Sequence, residues 1–470
     1  MTRACVVGSG PNGLAAAVHL AAAGVEVTVL EAKDVVGGGA RSSEVIVPGL
    51  LHDECAAIHP MAVISAFADE HRLGQYGLRW RTAPIDLVHP LDDGTAGVLH
   101  QSVQETAAGL GADGRRWRAL FGWPSARFDR ISEDVLQPLI RVPGHPLAMA
   151  RFGAPTVLPA SWLARYFTTE GGRALFAGVA AHAFQPLDRP LSSAIGVGII
   201  TAGHHNGWVV AEGGTQAITD AMVARLTELG GRIETGVRIT DVDQLPASDI
   251  TMLDLTPEAV ASIYGHRLPP RVRRAFTRFR RSPGAFKVDF AVEGGVPWTA
   301  PDARRASTVH LGGSAEETIA TERDIAAGRM PQRPFVLVGQ QYLADPGRSV
   351  GDIHPVYSYA HVPHGYTGDA TEAIVDQIER FAPGFRERIV GRSVRSTTQM
   401  ADYNSNYVGG DIITGAKDIR QLVFGPRVTA SPYRIGVPGA YICSAATPPG
   451  PGAHGMCGYN AARLALDNLP

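Results

Sequence analysis

The stretch Ala4-Cys-Val-Val-Gly-Ser-Gly-Pro-Asn-Gly-Leu-Ala-Ala-Ala-Val-His-Leu-Ala-Ala-Ala-Gly-Val-Glu-Val-Thr-Val-Leu-Glu31 decides the fold. Ala4 to Val7 is a short apolar run of the kind buried in a parallel sheet. Gly8, Gly10 and Gly13 follow at G-x-G-x-x-G spacing, with Pro11 and Asn12 between them. The first glycine permits a tight turn, the second lets the backbone approach a diphosphate, and the third lets a helix pack on the strand. Leu14 to Ala23 is rich in good helix formers and stops at Gly24. The next strand, Val25 to Leu30, delivers Glu31, followed by Ala32, at its carboxyl end. A carboxylate there accepts hydrogen bonds from ribose hydroxyls and repels a 2′-phosphate. Strand, turn, helix, strand and acid together predict a dinucleotide-binding unit.

Composition frames that unit. A chain of 470 residues predicts two to three domains, and a net charge of −2 carries no footprint for nucleic acid. Hydrophobic residues make up 45% and charged residues 19%. Cys5, Cys55, Cys443 and Cys457 show no paired spacing, which argues against a zinc site or a disulfide scaffold and for a reducing compartment. The motif starts eight residues in, without room for a cleavable leader, and no apolar run reaches the about 18 residues of a membrane span. A cytoplasmic protein is therefore expected.

After Glu31 comes a second glycine cluster, Gly37-Gly38-Gly39, then Arg41 and Ser42. Glycines let the chain run close to a long cofactor, and an arginine offers donors to its oxygens. Asp53 and His59 follow in the run from Val47 to Pro60. Asp53 is a candidate for a structural contact beside a cofactor or for a turn cap. His59 is a weak catalytic candidate against a satisfied loop histidine.

From Phe67 to Thr201 helical periodicity with scattered Arg and Trp takes over, predicting a mostly helical substrate or cap insert. Leu139 to Gly153 and Trp162 to Phe167 are apolar and basic without an acid. Such stretches rest on a membrane surface or, more commonly, pack as helices with solvated arginines. Gly213 and Gly214 then open a helix bearing Ile218, Met222, Leu226 and Leu229 on one face. Ile233, Val237 and Ile239 mark two short strands, and Ile250 to Pro257 a strand and turn. Ala285 to Val292 alternates as a strand carrying Lys287, read as a lysine on a solvated face or as a weak catalytic candidate. The run Tyr403 to Asp411 is expected as a loop near the cofactor.

The last motif is a strand from Ala440, a Thr-x-Pro-Gly-x-Gly-x-x-Gly loop over Thr447 to Gly455, and a helix starting near Gly455. A helix N-terminus favours negative charge. Together these motifs resemble those of phytoene desaturase-like FAD-dependent oxidoreductases, most of all the subgroup of pyridine nucleotide-disulfide oxidoreductase domain-containing protein 2. The GG-x-x-R segment resembles the GG-R-x-S/T motif of two-dinucleotide-binding-domain flavoproteins, with an extra glycine before Arg41. Pro448 stands where carotenoid desaturases tend to have His, and Ser444-Ala445-Ala446 replaces a more glycine-rich strand end. No C-x4-C pair follows the glycine turn, so disulfide reduction lacks its nucleophiles.

The resemblance implies a Rossmann-like α/β FAD-binding domain with an inserted α+β substrate domain. Its expected boundaries are 1–70, 205–283 and 400–470 for FAD, and 71–204 and 284–399 for the substrate or cap. FAD contacts are implied at Gly8, Gly10, Pro11, Asn12, Gly13, Glu31, Ala32, Gly38, Gly39, Arg41, Val237, Gly452, His454, Gly455 and Met456. The last helix is expected to stabilise charge on the reduced flavin. His454 joins His59 and Lys287 as a weak catalytic candidate, and no metal is expected. The implied reaction is hydride transfer from a lipophilic or polycyclic small molecule to flavin N5, with oxygen, a quinone or another acceptor as oxidant. Of the G-x-G-x-x-G patterns only Gly8 to Gly13 sits in a strand, turn, helix, strand unit, which disfavours a separate NAD(P) domain. A redox-neutral isomerase or cyclase and a flavin-stabilised interaction protein are the alternatives. Peripheral membrane contact and a homodimer stay open.

Overall fold

The computed structural model describes residues 2–469. Two sheets organise the chain. The first is fully parallel, in the order Ala440–Ile442, Ile250–Leu253, Arg3–Val7, Glu26–Leu30, Arg232–Glu234. Its strands come from both ends and the middle of the sequence, so the fold closes only when the two ends meet. Arg3–Val7 lies at the centre with Ala4 to Val7 buried, as a strand flanked on both faces must be. The helix after the glycine turn runs Pro11–Ala22, starting three residues earlier than its composition predicts. Proline is accommodated there because the first helical N–H has no partner to lose. This helix packs so tightly on the C-terminal helix Met456–Leu466 that a Cβ on Gly458 would collide with the Asn12 carbonyl.

The second sheet has seven strands, in the order Ile389–Arg395, Gly284–Glu293, Ile353–Val362, Val336–Gly339, Ala306–Leu311, Ile85–Pro90, Ala96–Leu99. All neighbours are antiparallel except Ala306–Leu311 with Ile85–Pro90. The expectation of a mostly helical stretch after Phe67 is corrected here, because Ile85–Pro90 and Ala96–Leu99 form a hairpin on this sheet's edge. All six residues of Ile85–Pro90 are buried, and a fully buried run of that length has no alternation by which to tell strand from helix. Helices do fill the remainder, from Val103–Gly109 to Ser193–Asn206. Among them Pro146–Thr156 and Ser193–Asn206 wall the region between the sheets.

Two further expectations change. Only Arg232–Glu234 is a strand; Val237 lies beyond it, its N–H donating to the Glu31 carbonyl at 2.8 Å. Lys287 is not on a solvated face. Gly284–Glu293 is covered on both sides, and the Lys287 side chain is buried against Asp289 and over the Tyr357 ring, 4.4 Å from its centroid.

Candidate functional site

A cavity of about 620 Å³ lies between the two sheets, with one polar and one apolar end. The polar end is made of backbone. Gly8 has φ +99°, a left-handed value that a side chain disfavours, and its N–H donates to the Leu30 carbonyl at 2.8 Å. A Cβ on Gly10 would stand 2.7 Å from the Asp254 carboxylate, and one on Gly13 would collide with the Gly8 carbonyl. The Gly13 N–H donates to Asp254 Oδ2 at 3.0 Å. Glu31 at the end of the second strand accepts from Ser9 N–H (2.9 Å), Ser9 Oγ (2.6 Å) and Lys33 N–H (2.9 Å), which aims its carboxylate along the cavity.

The second glycine cluster lies under two tyrosines. Tyr403 donates to the Gly38 carbonyl at 2.9 Å, and any Cβ on Gly39 would meet the Tyr407 hydroxyl. Arg41 sits over the Tyr403 ring at 5.3 Å, donates from Nε to the Val36 carbonyl at 3.1 Å and reaches Glu31 at 3.8 Å. From the far end of the chain, the loop Ala445 to His454 closes the opposite wall.

The other end is apolar. Phe128, Met149, Phe152, Ile195, Ile199 and Leu337 line it, with Trp208, Tyr357 and Tyr359. Tyr357 donates its hydroxyl to the Cys55 carbonyl at 2.6 Å, so its ring is held against the cavity.

Of the residues singled out in the sequence, Gly8, Gly10, Pro11, Asn12, Glu31, Ala32, Gly38, Gly39, Arg41, Val237, Gly452, His454 and His59 line this one cavity. Gly13, Gly455, Met456 and Lys287 do not. Gly13 and Gly455 serve packing, Gly455 lying where a Cβ would be 2.7 Å from Ala15 Cβ. The Met456 N–H donates to His454 Nδ1 at 3.1 Å, so that nitrogen is an acceptor and His454 is a clamp on its own loop. Burial lowers the His454 and His59 pKa values to about 4, leaving both neutral at pH 7. His59 Nε2 is bonded to Thr215 Oγ1 at 3.0 Å. Asp53 does not line the cavity. Its carboxylate pairs with Arg348 (2.5 Å) and accepts from Thr215 N–H (2.7 Å) and Ser42 Oγ (2.8 Å), tying three segments together. Burial pushes Asp53 up, but Arg348 and the Thr215 N–H more than offset it, and the pKa falls below the usual carboxylate range.

Three wall residues carried no sequence signal. Asp254, just past the strand Ile250–Leu253, is raised to about 7 by burial, partly offset by the Gly13 N–H and reinforced by Glu31. Lys417 is buried in the wall, and burial lowers it to about 8 against the pull of Asp411. His182 faces the cavity half-buried, and its Nε2 meets His310 Nε2 at 3.1 Å. Behind it, the Nδ1 atoms of His310 and His89 are buried without a partner among the described residues, both beside the space left by Gly178.

A parallel sheet with a glycine turn, an acid closing the second strand and a far-end loop on one cavity is the arrangement of a Rossmann-like oxidoreductase. A family described as NAD(P)-binding Rossmann-like domain matches residues 6–70. Pyridine nucleotide-disulfide oxidoreductase domain-containing protein 2 of Rattus norvegicus is 23% identical, over 99% of this chain and 93% of its own length. Phytoene dehydrogenase of Streptomyces griseus is 25% identical, over 83% and 78%. The crystal structure of an oxidoreductase from Methanosarcina mazei shares the fold, with a TM-score of 0.64 at 14% identity, covering 99% of this chain and 100% of that one. The resemblance read from the sequence is thereby borne out: the chain is an oxidoreductase, similar along most of its length to these relatives.

Proposed function

We propose that the cavity holds FAD along its polar end and that the enzyme removes hydride from a lipophilic or polycyclic small molecule in its apolar end. The observation that carries this reading is continuity: a cradle of backbone opens directly onto an apolar chamber. The residues present fit a dinucleotide, since Gly10 and Gly39, whose Cβ positions are taken by the Asp254 carboxylate and the Tyr407 hydroxyl, present bare backbone to the cavity. In this reading Gly8, Gly10, Pro11 and Asn12 hold the diphosphate, with Gly13 packing the helix behind them, and Glu31 and Ala32 hold the ribose. Gly38, Gly39 and Arg41 run beside it, Val237 borders the adenine, and Gly452, His454, Gly455 and Met456 support the ring end. The three chain segments 1–70, 205–283 and 400–470 then make one FAD domain, and 71–204 with 284–399 the substrate domain.

When bound, FAD supplies the hydride acceptor, later reoxidised by oxygen, a quinone or another acceptor. The chain's own work is to orient the substrate among Phe128, Met149, Phe152 and Ile199, to exclude water, and to handle the accompanying proton. Asp254, at about 7, and Lys417, at about 8, are the cavity-wall groups nearest neutral pH; Asp254 is engaged by the Gly13 N–H, which leaves Lys417 as the proposed base. Substrate entry is read at the edge of the insert, where Leu139 belongs to the cavity wall and Val142 and Leu147 are 88% and 86% exposed. An apolar rim flanked by Arg141 and Arg151 suits loading from a lipid surface. The test is anaerobic mixing with a panel of lipids, amines and polyketides. Bleaching of the bound flavin by an apolar compound supports the reading, and no bleaching across the panel overturns it.

A further inference from the structure

His19, in the last turn of the helix Pro11–Ala22, meets Glu70 and His71 at the end of the short helix Ala66–Glu70. His19 Nδ1 lies 3.2 Å from His71 Nε2 and 3.4 Å from Glu70 Oε1, and His71 Nε2 lies 3.7 Å from that same oxygen. Among the described residues this is the one group of three such donors gathered within metal-binding range. One hydrogen bond, between His19 Nδ1 and His71 Nε2, takes up the shortest edge of this triangle and leaves Glu70 Oε1 at 3.4 and 3.7 Å from the two nitrogens. The carboxylate oxygen brings no proton, and if both inward nitrogens carried one, the shortest edge would set donor against donor. If only one does, an edge is left with two lone pairs facing each other. A cation at the centre satisfies all three atoms at once.

The dimensions agree with that solution. Zinc to nitrogen distances of about 2.0–2.1 Å put neighbouring tetrahedral ligands roughly 3.3–3.4 Å apart. The second layer agrees too: the Tyr459 hydroxyl donates to the other Glu70 oxygen, which orients the carboxylate. The His71 ring is packed on Phe67, 5.0 Å between centroids. His19 sits at the negative end of its helix, where a cation is favoured. The Glu70 side chain, 46% exposed, leaves an entry path and room for a water as fourth ligand.

We propose that His19, Glu70 and His71 form a structural site for a divalent cation of the zinc type, with water completing the tetrahedron. None of the three lines the cavity, so the role is mechanical. The site clips the nucleotide helix to Ala66–Glu70, whose N-cap Ser65 donates to the His454 carbonyl at 2.6 Å on the cavity wall. Occupancy at one end of this short helix therefore steadies the loop at the other. No sequence motif announces it, because His19 and His71 are separated by 52 positions.

The experiment uses the full chain stripped with EDTA and titrated with zinc alone, then with cobalt(II). One bound equivalent, a raised melting midpoint and the visible bands of tetrahedral cobalt are expected. His19→Gln and His71→Gln lose the equivalent and the thermal shift while keeping the flavin-region spectrum, and Tyr459→Phe weakens zinc about 10-fold. If a histidine variant does not fold, Glu70→Gln at its half-exposed position decides, and must weaken zinc by at least tenfold. No equivalent bound by the stripped parent, or an equivalent kept by His19→Gln/His71→Gln or undiminished in Glu70→Gln, overturns the site.

Discussion

The two ends of the cavity are built by opposite means. The polar end is backbone: three glycines, one acid and a turn that twenty-four consecutive residues, 8–31, specify locally. The apolar end is side chains drawn from Phe128, Met149, Phe152, Ile199 and Leu337, more than 200 positions apart. The difference teaches why the backbone end tolerates relatives of low identity while the apolar end is free to change. Backbone recognition needs only the turn, whereas a chamber of packed side chains alters with each substitution.

That contrast is broken most severely at Gly10. Gly10→Val sets two branches against the Asp254 carboxylate in the cavity wall. Flavin affinity is expected to fall about 100-fold or more, ~2.7 kcal/mol, with circular dichroism unchanged. A yellow Gly10→Val protein would refute the backbone-cradle half. The buried strut behind the cavity comes next. Arg348 is 1% exposed and pairs with Asp53 and Asp345, so Arg348→Met leaves buried carboxylates unpaired at a cost of about 3–5 kcal/mol, read as a lower melting midpoint. The sign with pH follows from Asp53. Its folded pKa is depressed, so its stabilisation is present above the ordinary carboxylate pKa and is lost as pH falls through the folded value. Melting midpoints of the parent should therefore drop on acidification below pH 4, and those of Arg348→Met should drop less.

Met149→Glu sharpens the comparison from the other side. A carboxylate in the apolar wall is expected to weaken a lipophilic substrate about 10-fold to 100-fold, ~1.4–2.7 kcal/mol, measured as KM, with the flavin spectrum intact. Equal loss of flavin would show that the ends are not separable. The smallest effect is a pH profile. With Lys417 as base, the rate rises as pH climbs through about 8 and the amine loses its proton; Lys417→Met flattens that limb. A profile unchanged in Lys417→Met would remove the lysine from the reaction.

The same contrast decides what was legible beforehand. The glycine turn, Glu31 and the Thr447 to Gly455 loop were readable because each belongs to a short local pattern, the turns through their backbone and Glu31 through its fixed place at the end of the second strand. Asp254 was not, since its reason to exist is the Gly13 N–H, 241 positions away. Arg348 answers Asp53 across 295 positions, and His182 meets His310 across 128. Lys287 was misread as solvated because its strand's second face is covered by segments far away in sequence. Ile85–Pro90 was misread because burial on both faces erases alternation.

The central claim is that the head and the tail of the chain fold around one flavin, and the most direct measurement is the visible spectrum of the purified full chain before and after incubation with FAD. The expected result is a yellow protein, or uptake to one equivalent, that Gly10→Val abolishes. A colourless chain that stays empty in excess FAD would contradict it.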